Sequence, residues 1–180
     1  MIIFFLLLLI IILIILLVIY MVEPKKYIKA VCVLSSGKIN GVIYLEELPS
    51  KMTKIYGKIS GLPPGEHAIH IHEAGDLTDG CTSACAHYNP FNKKHGGKND
   101  KERHVGDLGN IIAAKNGVAI INMEDKLIKL SGKYSVIGRS FIIHADRDDL
   151  GRGGFPDSLT TGHAGARLVC GVIGYAKNCQ

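Results

Sequence analysis

The sequence lacks several features that would place it in a common structural class. Its 180 residues include no tryptophan, and the five cysteines form no CxxC pair, which excludes a zinc ribbon. There is no internal repeat and no long amphipathic helical pattern. The formal net charge is +5, but Lys and Arg are scattered among Asp and Glu. Without a long basic run, nucleic-acid binding is not indicated.

Charge is also missing from the first 22 residues. Ile2 to Ile19 are all Ile, Leu, Phe or Val, and a helix from Ile2 to Val22 would rise about 31 Å, which matches a bilayer core. A cleaved signal peptide should have a basic start, a shorter apolar core and a small-residue cleavage site, none of which is present. A buried core helix is the remaining alternative. We therefore expect a single N-terminal transmembrane helix that contacts membrane lipid through residues 2–22.

This expectation divides the chain into four parts. Residues 1–22 form a hydrophobic membrane anchor or an uncleaved signal, 23–28 a short linker, 29–177 the folded domain and 178–180 a C-terminal tail. Lys25 and Lys26 follow the span, so the positive-inside rule favours the cytosolic side for the domain. A luminal or extracellular side stays open, and cleavage of the segment would make the domain secreted.

The folded domain has the pattern of a β-protein. Short runs rich in Val, Ile and Tyr alternate with turn signals, and they comprise residues 28–34, 41–45, 54–59, 67–72, 117–123, 140–145 and 167–176. Many short strands in one domain predict an antiparallel sandwich or barrel. The glycine-rich stretches 75–109 and 146–165 are too long for hairpin turns, which is typical of functional loops.

Histidines cluster around these strands and loops. His70 and His72 stand two residues apart on one strand, so both rings face the same side and can bind one metal ion. The other candidate ligands are His87, His95, His104 and Asp107 in the first long loop, and His144 at the end of a later strand. Imidazole suits copper and zinc, and an aspartate joining three histidines suits zinc best.

The segments that carry these residues resemble the copper/zinc superoxide dismutase family. The similar segments follow one another in order from about Lys29 to Lys177, and they are residues 65–76, 80–90, 94–97, 103–110, 138–139, 148–154 and 165–174, together with His144. The resemblance implies an all-β fold, an eight-stranded antiparallel Greek-key barrel or sandwich with two long functional loops. The predicted transmembrane helix would precede it.

The resemblance also implies a metal centre with one copper and one zinc ion per subunit. Copper would be held by His70, His72, His87 and His144. Zinc would be held by His87, His95, His104 and Asp107, and the ring of His87 would bridge the two metals. Asp148 would accept hydrogen bonds from the outer nitrogens of His70 and His95. Arg167 would attract superoxide beside the copper, and Cys81 and Cys170 would form a disulfide.

The implied activity is conversion of superoxide to O2 and H2O2 by alternate reduction and oxidation of the copper, an antioxidant function. Zinc would be structural, His87 would supply a proton, and the chain would be a homodimer. A catalytically silent copper chaperone or decoy should lack a copper ligand or Arg167. An adhesion or structural β-domain would have no use for the zinc loop.

Four residues depart from the family pattern, among them Thr160 and Pro156, which replace charged residues that many relatives carry. Cys85 stands where the family usually has glycine, and we expect a buried free thiol there. His163 replaces a common asparagine, and we expect it to face solvent. Of the remaining cysteines, Cys32 is predicted in the core and Cys179 exposed near the end of the chain.

Overall fold

A computed structural model describes residues 2–22 and 27–177, and within the N-terminal helix it describes the side chains of residues 4–17. Within these residues the chain forms a 21-residue N-terminal helix, eight strands, a 3-10 turn at Thr82–Ala84 and one four-residue helix. In chain order these are α1 Ile2–Val22, β1 Lys29–Ser36, β2 Ile39–Glu47, β3 Thr53–Ser60, β4 Gly65–His72, β5 Asp107–Ala113, β6 Ala119–Asp125, β7 Ser140–His144, α2 Ser158–Thr161 and β8 Arg167–Tyr175.

The eight strands close into an antiparallel barrel in the order β1-β2-β3-β6-β5-β4-β7-β8. β4, β5 and β6 are neighbours in the barrel as they are in the sequence. β6 then lies beside the earlier strand β3, which gives the strand order of a Greek key. The predicted eight-stranded antiparallel barrel is therefore confirmed. β5 was absent from the alternating runs because its start, at Asp107, lies inside the stretch assigned to the first long loop.

The core fills the inside of the barrel with alternate residues from each strand. On β1, for example, Ala30, Cys32 and Leu34 are buried while their neighbours point outward. All five residues of β7 are buried, and so are the last six of β4. These two strands are covered on both faces because the long loops pack against their outer side, and that side is where the histidines lie.

The two long loops are tied to the barrel by specific contacts. A disulfide joins Cys81 in the first loop to Cys170 on β8, with Cα atoms 5.6 Å apart. The second loop runs between β7 and β8 and contains α2. Arg152 in this loop donates hydrogen bonds to both carboxylate oxygens of Asp100 in the first loop, at 2.8 Å each. The loops therefore form one connected layer over β4 and β7.

The expectation of a membrane span is corrected by the structure. In the part of the chain that is described, no helix is both long enough and apolar enough to cross a membrane. This finding contradicts three predictions, namely the transmembrane helix, the membrane-anchored localisation and the contact with membrane lipid. The preference for the cytosolic face depended on the predicted span and is wrong for the same reason.

The other predicted boundaries stay predictions. Most of the linker assigned to residues 23–28 and the whole tail assigned to 178–180, including Cys179, lie outside the described residues.

Candidate metal centre

Four histidines meet on the outer face of the barrel where β4 and β7 pair. His70 and His72 point from β4 to this side, and His144 joins them from the end of β7, next to a register shift. His87 approaches from the first loop and forms an isolated bridge with His72. One ring nitrogen from each of the four lies within 4.8 Å of the others, and all four side chains are buried.

A second group surrounds the carboxylate of Asp107. Its Oδ1 lies 2.9 Å from Nδ1 of His87, 3.0 Å from Nδ1 of His95 and 3.1 Å from Nδ1 of His104. Ligands of a tetrahedral zinc with bonds of 2.0–2.1 Å are separated by about 3.3 Å, close to these spacings. His70 also lies within 4.8 Å of this group, beside His87, His95 and Asp107. The three histidines predicted to bind zinc thus gather around one carboxylate oxygen of the fourth predicted ligand, Asp107.

The unpaired nitrogens of these rings provide a test of whether metal ions fit. Among the described residues, four buried ring nitrogens of the first group have no hydrogen-bond partner, namely His70 Nδ1, His72 Nε2, His87 Nε2 and His144 Nε2. The opposite nitrogens do have partners: His72 Nδ1 contacts the Cys85 carbonyl at 2.8 Å, and His87 Nδ1 faces Asp107. Buried unpaired nitrogens are costly without a partner, so this donor set fits a metal ion.

Asp148 connects the two groups. Its Oδ2 lies 2.9 Å from His70 Nε2, and its Oδ1 lies 2.8 Å from His95 Nε2, with all three side chains fully buried. Asn110 fixes the aspartate in turn, because its amide accepts from the Asp148 backbone N–H and donates to the Asp148 carbonyl. These contacts occupy Nε2 of His70 and His95, so Nδ1 of each ring is the nitrogen that a metal ion can bind once it is deprotonated.

Burial and neighbouring charges prepare the protonation states that metal binding needs. Burial, reinforced by neighbouring histidines, lowers the pKa of His70 well below its usual value and that of His72 to about 2. It also lowers the pKa of His144 to about 4, so these rings are neutral near pH 7. Burial opposes ionisation of Asp107, but its histidine contacts outweigh burial and hold its pKa far below normal. Neutral imidazoles and ionised carboxylates are the forms that ligate metals.

The pKa of His95 is shifted in the opposite direction from the pKa values of His70, His72 and His144. Burial lowers its pKa, but the hydrogen bonds to Asp107 and Asp148 outweigh burial and raise the pKa to about 9. In the metal-free site this ring therefore carries the proton that a metal ion would displace from Nδ1.

Comparison with known proteins decides the family. The model of the family described as copper/zinc superoxide dismutase matches residues 39–173. The chain belongs to the copper/zinc superoxide dismutase family. Its members convert superoxide to O2 and H2O2, and the chain is accordingly an enzyme of antioxidant defence with copper and zinc as cofactors and superoxide as substrate.

Individual relatives extend the match over most of the chain. A Cu-Zn superoxide dismutase of Paramecium bursaria Chlorella virus 1 is 57% identical over 153 residues, which is 84% of this chain and 81% of that relative. A Cu-Zn superoxide dismutase 3 of Arabidopsis thaliana is 49% identical over 161 residues, or 89% and 98% of the two chains. The crystal structure of the clock protein EA4 has 44% identity and a TM-score of 0.82, covering 86% of this chain and 98% of that one.

Arg167 lies at the start of β8, where the superoxide dismutase pattern expects its channel arginine. Its Nη1 donates to the carbonyl oxygens of Cys81 at 2.6 Å and Thr82 at 3.2 Å, and its Nη2 donates to that of Cys85 at 2.6 Å. Burial lowers the pKa of Arg167, yet a guanidinium stays charged at neutral pH. Three backbone carbonyls thus fix a cation directly beside the turn that leads to His87.

Cys85 is exposed, so the expectation of a buried thiol is wrong. Its backbone has a φ of 65°, a conformation that favours glycine and agrees with the glycine expected there from the family resemblance. Its carbonyl accepts hydrogen bonds from both His72 and Arg167. Residue 85 thus contributes to the site through its backbone carbonyl, which holds His72 and Arg167. Cys32 is buried as expected, and His163 is half exposed.

Sequence reasoning gave no role to Arg103, which the structure places under the zinc-side group. Its side chain is 1% exposed and forms a salt bridge with Asp125 on β6. It also donates to the carbonyls of His104, Val105 and Asp107, at 3.2, 3.4 and 2.8 Å. The sequence indicates Arg103 only by its position next to the predicted ligand His104. Its salt-bridge partner, Asp125, lies 22 residues further along the chain.

Proposed function

We propose that this chain dismutates superoxide at a copper ion held by His70, His72, His87 and His144. Zinc is held by His87, His95, His104 and Asp107. The observation that carries this assignment is the set of four buried ring nitrogens that converge without a hydrogen-bond partner among the described residues. Bound copper supplies the one-electron redox chemistry by which one superoxide is oxidised and another reduced.

His87 has the part of proton carrier. Its Nδ1 faces the zinc-side carboxylate of Asp107 at 2.9 Å, while its Nε2 points into the copper-side group. Burial lowers the pKa of His87, so the metal-free ring is neutral near pH 7. Nε2 is therefore the atom that takes up one proton and returns it to the reduced product. The contact of Nδ1 with Asp107 holds the ring in place and leaves Nε2 available to the copper-side group.

Arg167 attracts and orients the substrate. Superoxide is a small anion, and Arg167 is a fixed cation beside the turn that carries Cys85 and His87. The arginines of the two long loops, Arg103, Arg147 and Arg152, each form an ion pair with a carboxylate, namely Asp125, Glu66 and Asp100. Arg167 instead donates only to backbone carbonyls among the described residues, so its charge is left to attract the substrate.

A homodimer belongs to the same proposal. Gly171 to Gly174 of β8 resemble the usual interface strand of the family, and Val172 in this segment is 40% exposed. An outward-facing valine in a segment that begins and ends with glycine supports close approach of a second copy. Analytical ultracentrifugation of the purified chain at micromolar concentration tests this, and a single monomeric species would contradict it.

The metal assignment is tested by changing one ligand. His70→Ala should remove copper and nearly all superoxide-decay activity while the chain keeps zinc. Metal content by mass spectrometry and the rate of superoxide decay are measured on the purified protein. The control is His67→Gln on the same strand, because both ring nitrogens of His67 face backbone carbonyls and none points to the metal groups. Wild-type activity in His70→Ala would show that the copper assignment is wrong.

A further inference from the structure

Three side chains that have no part in the proposed chemistry meet on the loop between β7 and β8. The rings of Phe155 and His163 stack with centroids 3.8 Å apart and planes 10° from parallel. His163 Nδ1 also lies 2.8 Å from Asp157 Oδ1. Phe155 is 49% exposed, and the side chains of His163 and Asp157 are about half exposed. We call Phe155, Asp157 and His163 the clasp.

The clasp joins the two ends of α2. Phe155 and Asp157 precede this four-residue helix, and His163 follows it. The carbonyl of Asp157 accepts from the backbone N–H groups of Thr160 and Thr161, so the clasp aspartate also begins the helix. His163 has a φ of 51°, which turns the chain back so that its ring reaches Phe155. So short a helix depends on such tertiary contacts, because an isolated turn is unstable.

α2 in turn contacts the zinc side of the metal centre. The backbone N–H of His95 donates to the carbonyl of Leu159 in α2, at 2.9 Å. Gly162, directly before His163, is buried against Asp148 and His95, where any Cβ would collide with the Asp148 carboxylate and with His95 Nε2. The Gly162 carbonyl accepts from the N–H of Asp149. A continuous chain of contacts therefore runs from the exposed clasp to His95.

We propose that the clasp positions α2 against His95 and Asp148 and thereby slows the loss of zinc from the metal centre. The inference rests on the proposed zinc site. Phe155, Asp157 and His163 act as positioning residues, since none of them reaches the metal groups. Their contacts are exposed, so they contribute little to the stability of the barrel. They determine how often the α2 segment lifts away from His95, which is a local opening of the loop.

Zinc release from the full, metal-loaded chain into an excess of a chromogenic chelator tests the proposal. Phe155→Ala should release zinc about 3- to 10-fold faster, the range expected when one exposed aromatic pair is lost. His163→Asn should have a similar effect, and the double variant should be no faster than either single one, because both remove the same stack. Phe155→Tyr keeps the ring and should restore the wild-type rate.

The chain offers a matched control for the loss of an exposed aromatic ring. Tyr44 on β2 is 41% exposed and stacks on Tyr56 of β3 with centroids 5.5 Å apart, outside both long loops. Tyr44→Ala should release zinc at the wild-type rate. Hydrogen exchange provides a second measurement, since the amide of His95 should exchange faster in Phe155→Ala while amides of the barrel strands are unchanged.

The outcomes separate this inference from the proposed function. If the wild-type chain binds no zinc, the proposed zinc site fails. If it binds zinc and Phe155→Ala releases it no faster than Tyr44→Ala does, with unchanged exchange at His95, the clasp has no positioning role. Faster exchange in the barrel strands of Phe155→Ala would also overturn the inference, because the ring would then stabilise the fold as a whole.

Discussion

Asp148→Asn is the substitution that best separates the two halves of the metal centre. The aspartate accepts from His70 Nε2 through one oxygen and from His95 Nε2 through the other. An asparagine of the same size can accept from only one of the two rings, and its NH2 group opposes the N–H of the other. The Asp148 backbone should stay in place because Asn110 holds both its N–H and its carbonyl.

The expected loss of metal affinity follows from the role of these two hydrogen bonds in orienting His70 and His95. Loss of the partner that orients a metal-binding histidine typically lowers affinity by about 10- to 100-fold, or roughly 1.4–2.7 kcal/mol. Zinc should be affected more than copper. Three of the proposed copper ligands lie on β4 and β7 and are held by strand pairing, whereas His95 lies in a loop. We therefore expect zinc affinity to fall by the full factor and copper affinity by less.

Competition with chelators of known affinity measures both constants on the purified chain. Asp76→Asn is the matched control, because Asp76 is exposed and bonds only within its own turn to Thr78 and Ser83. Zinc affinity of Asp148→Asn within twofold of wild type, or a larger loss of copper than of zinc, would refute the reasoning.

Three further predictions concern charge. Arg167→Glu should slow superoxide decay by about 10- to 10³-fold at low ionic strength with both metals retained, and an unchanged rate would exclude the guiding role. Asp125→Asn leaves the buried guanidinium of Arg103 without its charge partner and should lower the free energy of unfolding by about 3–5 kcal/mol, whereas a loss below 1 kcal/mol in urea titrations would contradict this. In the chelated, metal-free chain, burial lowers the pKa of His144 from its usual 6.5 to about 4. Its contribution to stability is therefore complete above pH 6.5 and lost as the pH falls toward 4, and His144→Gln should reduce that loss in thermal melts.

Much of the site could be predicted because the ligands follow local rules. The spacing of His70 and His72 places both rings on one face of a strand, whatever the rest of the fold does. The resemblance supplied the remaining ligands and Asp148, and the structure brings these side chains together. What the sequence could not supply were contacts between distant segments. The support of Asp107 by Arg103 and Asp125, and the exposure of the Cys85 thiol, depend on packing that no periodic pattern records.

The N-terminal helix shows the opposite case, in which a strong local pattern led to a wrong conclusion. Apolar composition predicts where a helix forms, and α1 does form at Ile2–Val22. Among the described residues there is nevertheless no helix that could span a membrane. The apolar composition of this segment thus predicted the helix correctly and the membrane span incorrectly.

The distribution of the proposed ligands over the fold explains why one enzyme needs two metal sites of different rigidity. The copper side is built on paired strands, which keep three of its histidines in place when the metal changes charge. The zinc side is built mainly on the first loop, and its position depends on Arg103 below and on α2 and Asp148 above. Zinc bound there would cross-link the loop that carries His87. It would thereby also hold the ring of His87, whose Nδ1 faces Asp107 while its Nε2 has no hydrogen-bond partner among the described residues.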